Sequence, residues 1–123
     1  MATVSGLHLQ YRLWIADMNA DITVLRILND YLVEKSAKNK DAAIVQRINY
    51  FKDAFLKLRK EMDDLRHEMH LNKMKLASLG KDPNQSISTI ENSINHTALK
   101  ERYEVFRKSF DNTKKEYQDF ENM

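Results

Sequence analysis

Residues 41–83 read DAAIVQRINYFKDAFLKLRKEMDDLRHEMHLNKMKLASLGKDP. Within them Ile44, Ile48, Phe51, Phe55, Leu58, Met62, Leu65, Met69, Asn72, Leu76 and Leu79 alternate steps of four and three. That spacing keeps every one of them on a single face of a helix. Five heptads with one polar member, and mixed charge on the other faces, form a coiled-coil-like signal. Asp41 is placed to cap the start, because its carboxylate can accept from the free amides of the first turn. Gly80 supplies a residue for the left-handed position after the last turn, and Pro83 cannot continue a helix. The stretch predicts a helix over about 41–79.

Upstream, His8, Tyr11, Ile15, Met18, Ile22, Leu25, Asn29 and Leu32 also step by three and four, which predicts a helix over about 7–36. Its remaining faces are unusually apolar. Leu13, Ala20 and Ile27 repeat on the far side, and Leu9, Trp14, Val24, Leu28 and Tyr31 fill much of the rest. A helix apolar nearly all round is covered by more than one neighbour. The polar tract Lys35-Ser36-Ala37-Lys38-Asn39-Lys40 loses the pattern and reads as a connection.

Downstream, a third helix is expected over about 86–121. Ile87, Ile90 and Ile94 form one stripe, and Leu99, Tyr103, Phe106, Phe110, Thr113, Tyr117 and Phe120 form a second that is out of phase with it. This phase slip predicts a break near Asn95-His96-Thr97, or a local distortion there. Short connections make successive helices antiparallel. The expected fold is therefore all-α: an elongated up-down-up three-helix bundle, one domain over 1–123, with the third helix broken or distorted near Asn95. The second apolar face of the first helix predicts a homodimer, up to a six-helix assembly, or a protein partner bound there. Cover of that face by the N-terminal residues or by a bent third helix is the alternative.

Composition narrows the function. With two Gly, one Pro and no Cys among 123 residues, the chain lacks what turn-rich β folds, disulfides and thiolate metal sites require. The net charge of +2 is spread evenly, with 5 basic and 4 acidic residues in 1–40, 9 and 7 in 41–82, and 6 and 7 in 83–123. Phosphate backbones are bound by clustered Lys and Arg, so nucleic-acid binding is disfavoured. No run reaches the length of a membrane span, and the first residues lack the basic and apolar regions of a signal peptide. A cytoplasmic location is expected.

The candidate chemistry lies in the four histidines. A first turn centred near residue 38 or 39 would set His8 beside Met69 and His70, and a second centred near 83 would set Met69 beside Thr97 and close to His96. His8, His67, His70 and His96 could then share one layer, where imidazoles with a carboxylate from Asp64 or Glu68 would suit zinc or iron. Asp64-x-x-His67 has the spacing that di-iron bundles use as Glu-x-x-His, but the first helix offers no carboxylate near His8. The competing reading gives these histidines to helix ends and interface hydrogen bonds.

Other patterns are weaker. His67-Glu68-Met69-His70 lacks the i, i+4 spacing of a zinc-protease helix. Met18, Met62 and Met69 fall on stripes and read as core. Asn29 and Asn72 occupy seam positions, where such a residue fixes register at a cost in stability. Lys57-x-Arg59-Lys60 and Lys114-Lys115 read as solvated faces. Asn84-Gln85-Ser86 and Asn95-His96-Thr97 match a glycosylation acceptor pattern that matters only in a secreted protein. No Ser-His-Asp order, phosphate-binding glycine loop or paired catalytic carboxylates occur.

Leu7-His8, Leu13-Trp14-Ile15, Lys38-Asn39, Phe51-x-x-x-Phe55, Asp64-Leu65-x-His67 and His96-x-x-Leu99, leading to Phe106 and Phe110, give most of the chain a resemblance to a group of small helical-bundle proteins of the Bacteroidetes. That resemblance implies a helical bundle and no particular activity. Trp14-Ile15 and the helix lengths are also similar to the spectrin-type three-helix repeat, as shared architecture. The expected function is a non-enzymatic structural or protein-interaction module without a cofactor. A metal-binding bundle using the histidine layer is the alternative.

Overall fold

The computed structural model describes residues 3–79, 81 and 86–123. Its helices are α1 (Val4–Lys38), α2 (Ala42–Leu79), α3 (Ile87–Ser93) and α4 (His96–Glu121). Gly80 and Pro83, expected to stop the second helix, and Asn84-Gln85 of the first acceptor pattern lie outside the described residues.

Local chemistry sets the boundaries. Thr3 caps α1, its hydroxyl accepting from the Gly6 amide at 2.9 Å, so the helix starts a turn earlier than its apolar stripe suggests. At the other end α1 runs through the polar tract to Lys38, because Lys, Ser and Ala sustain a helix without an apolar stripe. The Lys38 ammonium is bonded to Glu34 one turn back at 2.8 Å. Asp41 caps α2 as expected, accepting from Ala43 at 3.0 Å and Ile44 at 3.2 Å.

The described residues form a bundle of four helices, which corrects the three-helix expectation. The third predicted helix is split at Asn95, whose φ of 53° and ψ of 44° put it in the left-handed region. One left-handed residue reconciles the two out-of-phase stripes, so that Ile90 and Ile94 before the break and Leu99 after it are all buried. Asn tolerates that backbone better than most residues.

Side-chain contacts fix the directions. Asn19 on α1 accepts from Arg66 on α2 at 2.7 Å, and Tyr11 meets Asn72, so α1 and α2 are antiparallel. Tyr50 on α2 donates to Glu116 on α4 at 3.0 Å, and Asn72 reaches the Ile94 carbonyl at 2.9 Å, so the chain after α2 runs antiparallel to it. Tyr103 with Asp17, Arg107 with Asp21 and Lys35 with Glu121 then align α4 with α1. At 1.5 Å per residue, α1 and α2 are each about 55 Å long.

The α2 stripe is buried almost as read, from Ile48 through Leu76, including Asn72. On α1 the buried set is Leu7, Tyr11, Ile15, Met18, Asp21, Leu25 and Leu32. His8 is half-buried and Asn29 is exposed, which corrects their placement on the buried seam. Near 3.6 residues per turn the buried face drifts across a strict heptad pattern, and Leu7 and Asp21 flank the expected stripe.

Candidate functional site

At the α3–α4 junction three helices meet in a polar knot. Tyr11 Oη lies 2.7 Å from His96 Nδ1, and Asn72 Nδ2 lies 3.4 Å from the same hydroxyl. Asn72 also donates to the Ile94 carbonyl, a group that the helix break leaves without a partner in a continuing helix. Trp14 stacks on Tyr103 at 4.8 Å between ring centres and lies parallel to His96 at 6.1 Å. Burial holds the His96 imidazole below its usual range; Lys100 pushes the same way and Glu91 opposes. Burial likewise raises the Tyr11 phenol. Burial thus favours the neutral form of His96 in this packed junction.

His67 and His70 form no hydrogen bond in it, and His8, half-buried on α1, lies within a turn of Tyr11. His67 and His70 are exposed on α2. Burial, then Lys73, Arg66 and His67, lower the His70 imidazole. Because Tyr11 rather than Ser5, nearly two turns earlier, faces Asn72, His8 lies level with about Lys75 and not with Met69 and His70. The expected register was wrong since α1 continues to Lys38 and the turn is centred later. Among the described residues no three His, Cys, Asp or Glu side chains come together to hold a metal ion.

A second cluster lies between α1 and α4. Arg107 holds Asp21 through a two-pronged pair, with Nη1 3.2 Å from Oδ1 and Nη2 bonded to Oδ2. The Asp21 carboxyl is nevertheless raised, because desolvation outweighs the guanidinium's attraction. Tyr103, 3.5 Å from Asp17, is pushed up to about 12 by burial. Sequence reading missed this cluster. Its signal was present: Asp21 adjoins Ile22 and Arg107 adjoins Phe106, each flanking an apolar stripe with opposite charge.

An open groove of about 1110 Å³ runs between α2 and α4, past Leu58, Arg102, Val105 and Phe106. Its walls carry both charges, and Arg102 pairs with Glu61 at 3.4 Å and with Glu68. A row of exposed apolar side chains lies on α1. Leu9, Leu13, Ile27 and Tyr31 are each more than half exposed, at 55%, 51%, 52% and 54%. With exposed Ala16 and Ala20 they line the side of α1 opposite its core face. No described helix is long and apolar enough to cross a membrane.

These features define an all-α bundle with an outward-facing apolar stripe. Comparison with protein-family models, curated proteins and solved structures finds no match to this chain.

Proposed function

We infer that the protein is a non-enzymatic structural or protein-interaction module of the cytoplasm that binds a protein, a second copy of itself included, through the outer face of α1. The supporting observation is the stripe of Leu9, Leu13, Ile27 and Tyr31, which with exposed Ala16 and Ala20 between them leaves a face of about six turns apolar and in water. Single exposed apolar residues are ordinary; a contiguous row of them marks a contact surface. The metal alternative has no supporting geometry among the described residues.

A photo-crosslinking side chain placed at Leu13 in the full chain in cells tests this reading. Crosslinks to a defined protein, its own copy or another, are expected from Leu13 and not from exposed Lys57 on α2. An equal yield from both positions would count against it.

A further inference from the structure

We propose that the occupant of the α1 stripe is the same stripe of a second copy, packed antiparallel about a two-fold axis at Ala20. This rests on reading α1's outer face as the contact surface.

The pattern is symmetric about that residue. Leu13 and Ile27 lie seven residues on either side of Ala20, Leu9 and Tyr31 eleven, and Ala16 and Val24 four. In an antiparallel pair centred there, Leu13 meets Ile27 of the other copy, Leu9 meets Tyr31, and Ala20 meets itself. A two-fold interface needs this self-complementarity, whereas a foreign partner does not. The small centre lets the axes approach to the short end of the usual 8–10 Å range. All four large residues are exposed, so the pairing requires no rearrangement of the bundle.

Charge agrees with the same register. Arg12 and Asp30 are exposed on one flank of the stripe, eight residues before Ala20 and ten after it. Neither forms an ion pair with a described residue. A two-fold axis normal to the helix pair brings like flanks together, so Arg12 of each copy faces Asp30 of the other. Parallel in-register pairing would instead put the two Arg12, and the two Asp30, on opposite flanks of the seam, where neither meets an opposite charge.

The stripe from Leu9 to Tyr31 is about 33 Å long and about 10 Å wide. That footprint, about 330 Å² on each copy, is smaller than a stable interface needs and fits a weak, transient pair. A dissociation constant on the order of 10 µM is expected.

Sedimentation equilibrium of the full chain over about 1–500 µM tests the proposal. A monomer–dimer equilibrium is expected for the wild type. Ala20→Glu, which sets two carboxylates at the axis on an exposed position, should weaken it by about tenfold or more while leaving the far-ultraviolet spectrum and melting of the monomer in place. Arg12→Glu should weaken it several-fold, and Arg12→Glu with Asp30→Arg should restore it. A chain monomeric throughout, a dimer indifferent to Ala20→Glu, or a charge swap that fails to rescue would each overturn the proposal. Crosslinks from Leu13 to a different protein with a monomeric chain would remove the self-pairing alone. Absence of any specific crosslink would remove the contact-surface reading as well.

Discussion

Tyr11 and His96, 85 positions apart, join the start of α1 to the first residue of α4 through a 2.7 Å hydrogen bond. Nδ1 accepts from the phenol when the neutral ring carries its proton on Nε2, and burial favours the neutral ring. A histidine whose folded pKa lies below its unfolded value of about 6.5 binds fewer protons in the folded state. Its contribution to stability is therefore complete above about pH 6.5 and is lost as the pH falls from there toward the folded value. His70 acts in the same direction. Urea unfolding midpoints between about pH 7.5 and 5 should fall for the wild type, and His96→Gln should make the slope shallower. Equal slopes would dissociate His96 from the acid response.

Asn72 carries the second prediction. Its amide satisfies the Ile94 carbonyl at 2.9 Å inside the core, where it is itself 6% exposed. Asn72→Leu removes that donor and leaves a buried acceptor unpaired, at a cost of about 1–3 kcal/mol. The loss should be local as well as global. Hydrogen exchange should show α3 amides losing more protection than those of central α2; uniform loss would mean that Asn72 does not hold the junction.

The left-handed residue gives a third. Asn95 at φ 53° occupies a conformation that costs residues with a Cβ about 1–2 kcal/mol relative to the right-handed one. Its side chain makes no capping hydrogen bond to α4. Asn95→Gly should hold or raise the denaturation midpoint, and Asn95→Ala should lower stability by about 1 kcal/mol. Thermal melts that rank alanine at or above glycine would argue that this link is not left-handed in solution.

The helices were legible in sequence because periodicity and caps act locally. The α2 stripe and the Asp41 cap appear as read, and the slip between Ile94 and Leu99 located the break. What was not legible depended on where one helix lies against another. A polar tract without an apolar stripe gave no sign that α1 would continue to Lys38, and that extension moved His8 away from the level of His70. Asp21 reads as a solvent residue until α4 is aligned with α1, when Arg107 becomes its partner. The outward stripe was visible as an excess of apolar residues, but only the packing of α2 and α4 shows which of them stay uncovered.

Asp21 and Arg107 supply the last prediction. The carboxylate side chain is 10% exposed and the guanidinium 31%, so the pair is neither a free surface bridge nor a fully dry one. Removing one member strands the other. Arg107→Leu leaves Asp21 without its cation and should cost about 2 kcal/mol, below the 3–5 kcal/mol typical of fully buried pairs because water still reaches the guanidinium side. Asp21→Leu should cost a similar amount. The double variant removes both charges, avoids the unpaired carboxylate and should regain most of the loss, since an apolar pair of similar volume often matches a buried ion pair. A double-mutant cycle from urea unfolding reads this directly as a coupling energy of about 3 kcal/mol. Strictly additive single effects would show that the pair forms without contributing to the alignment of α4 with α1.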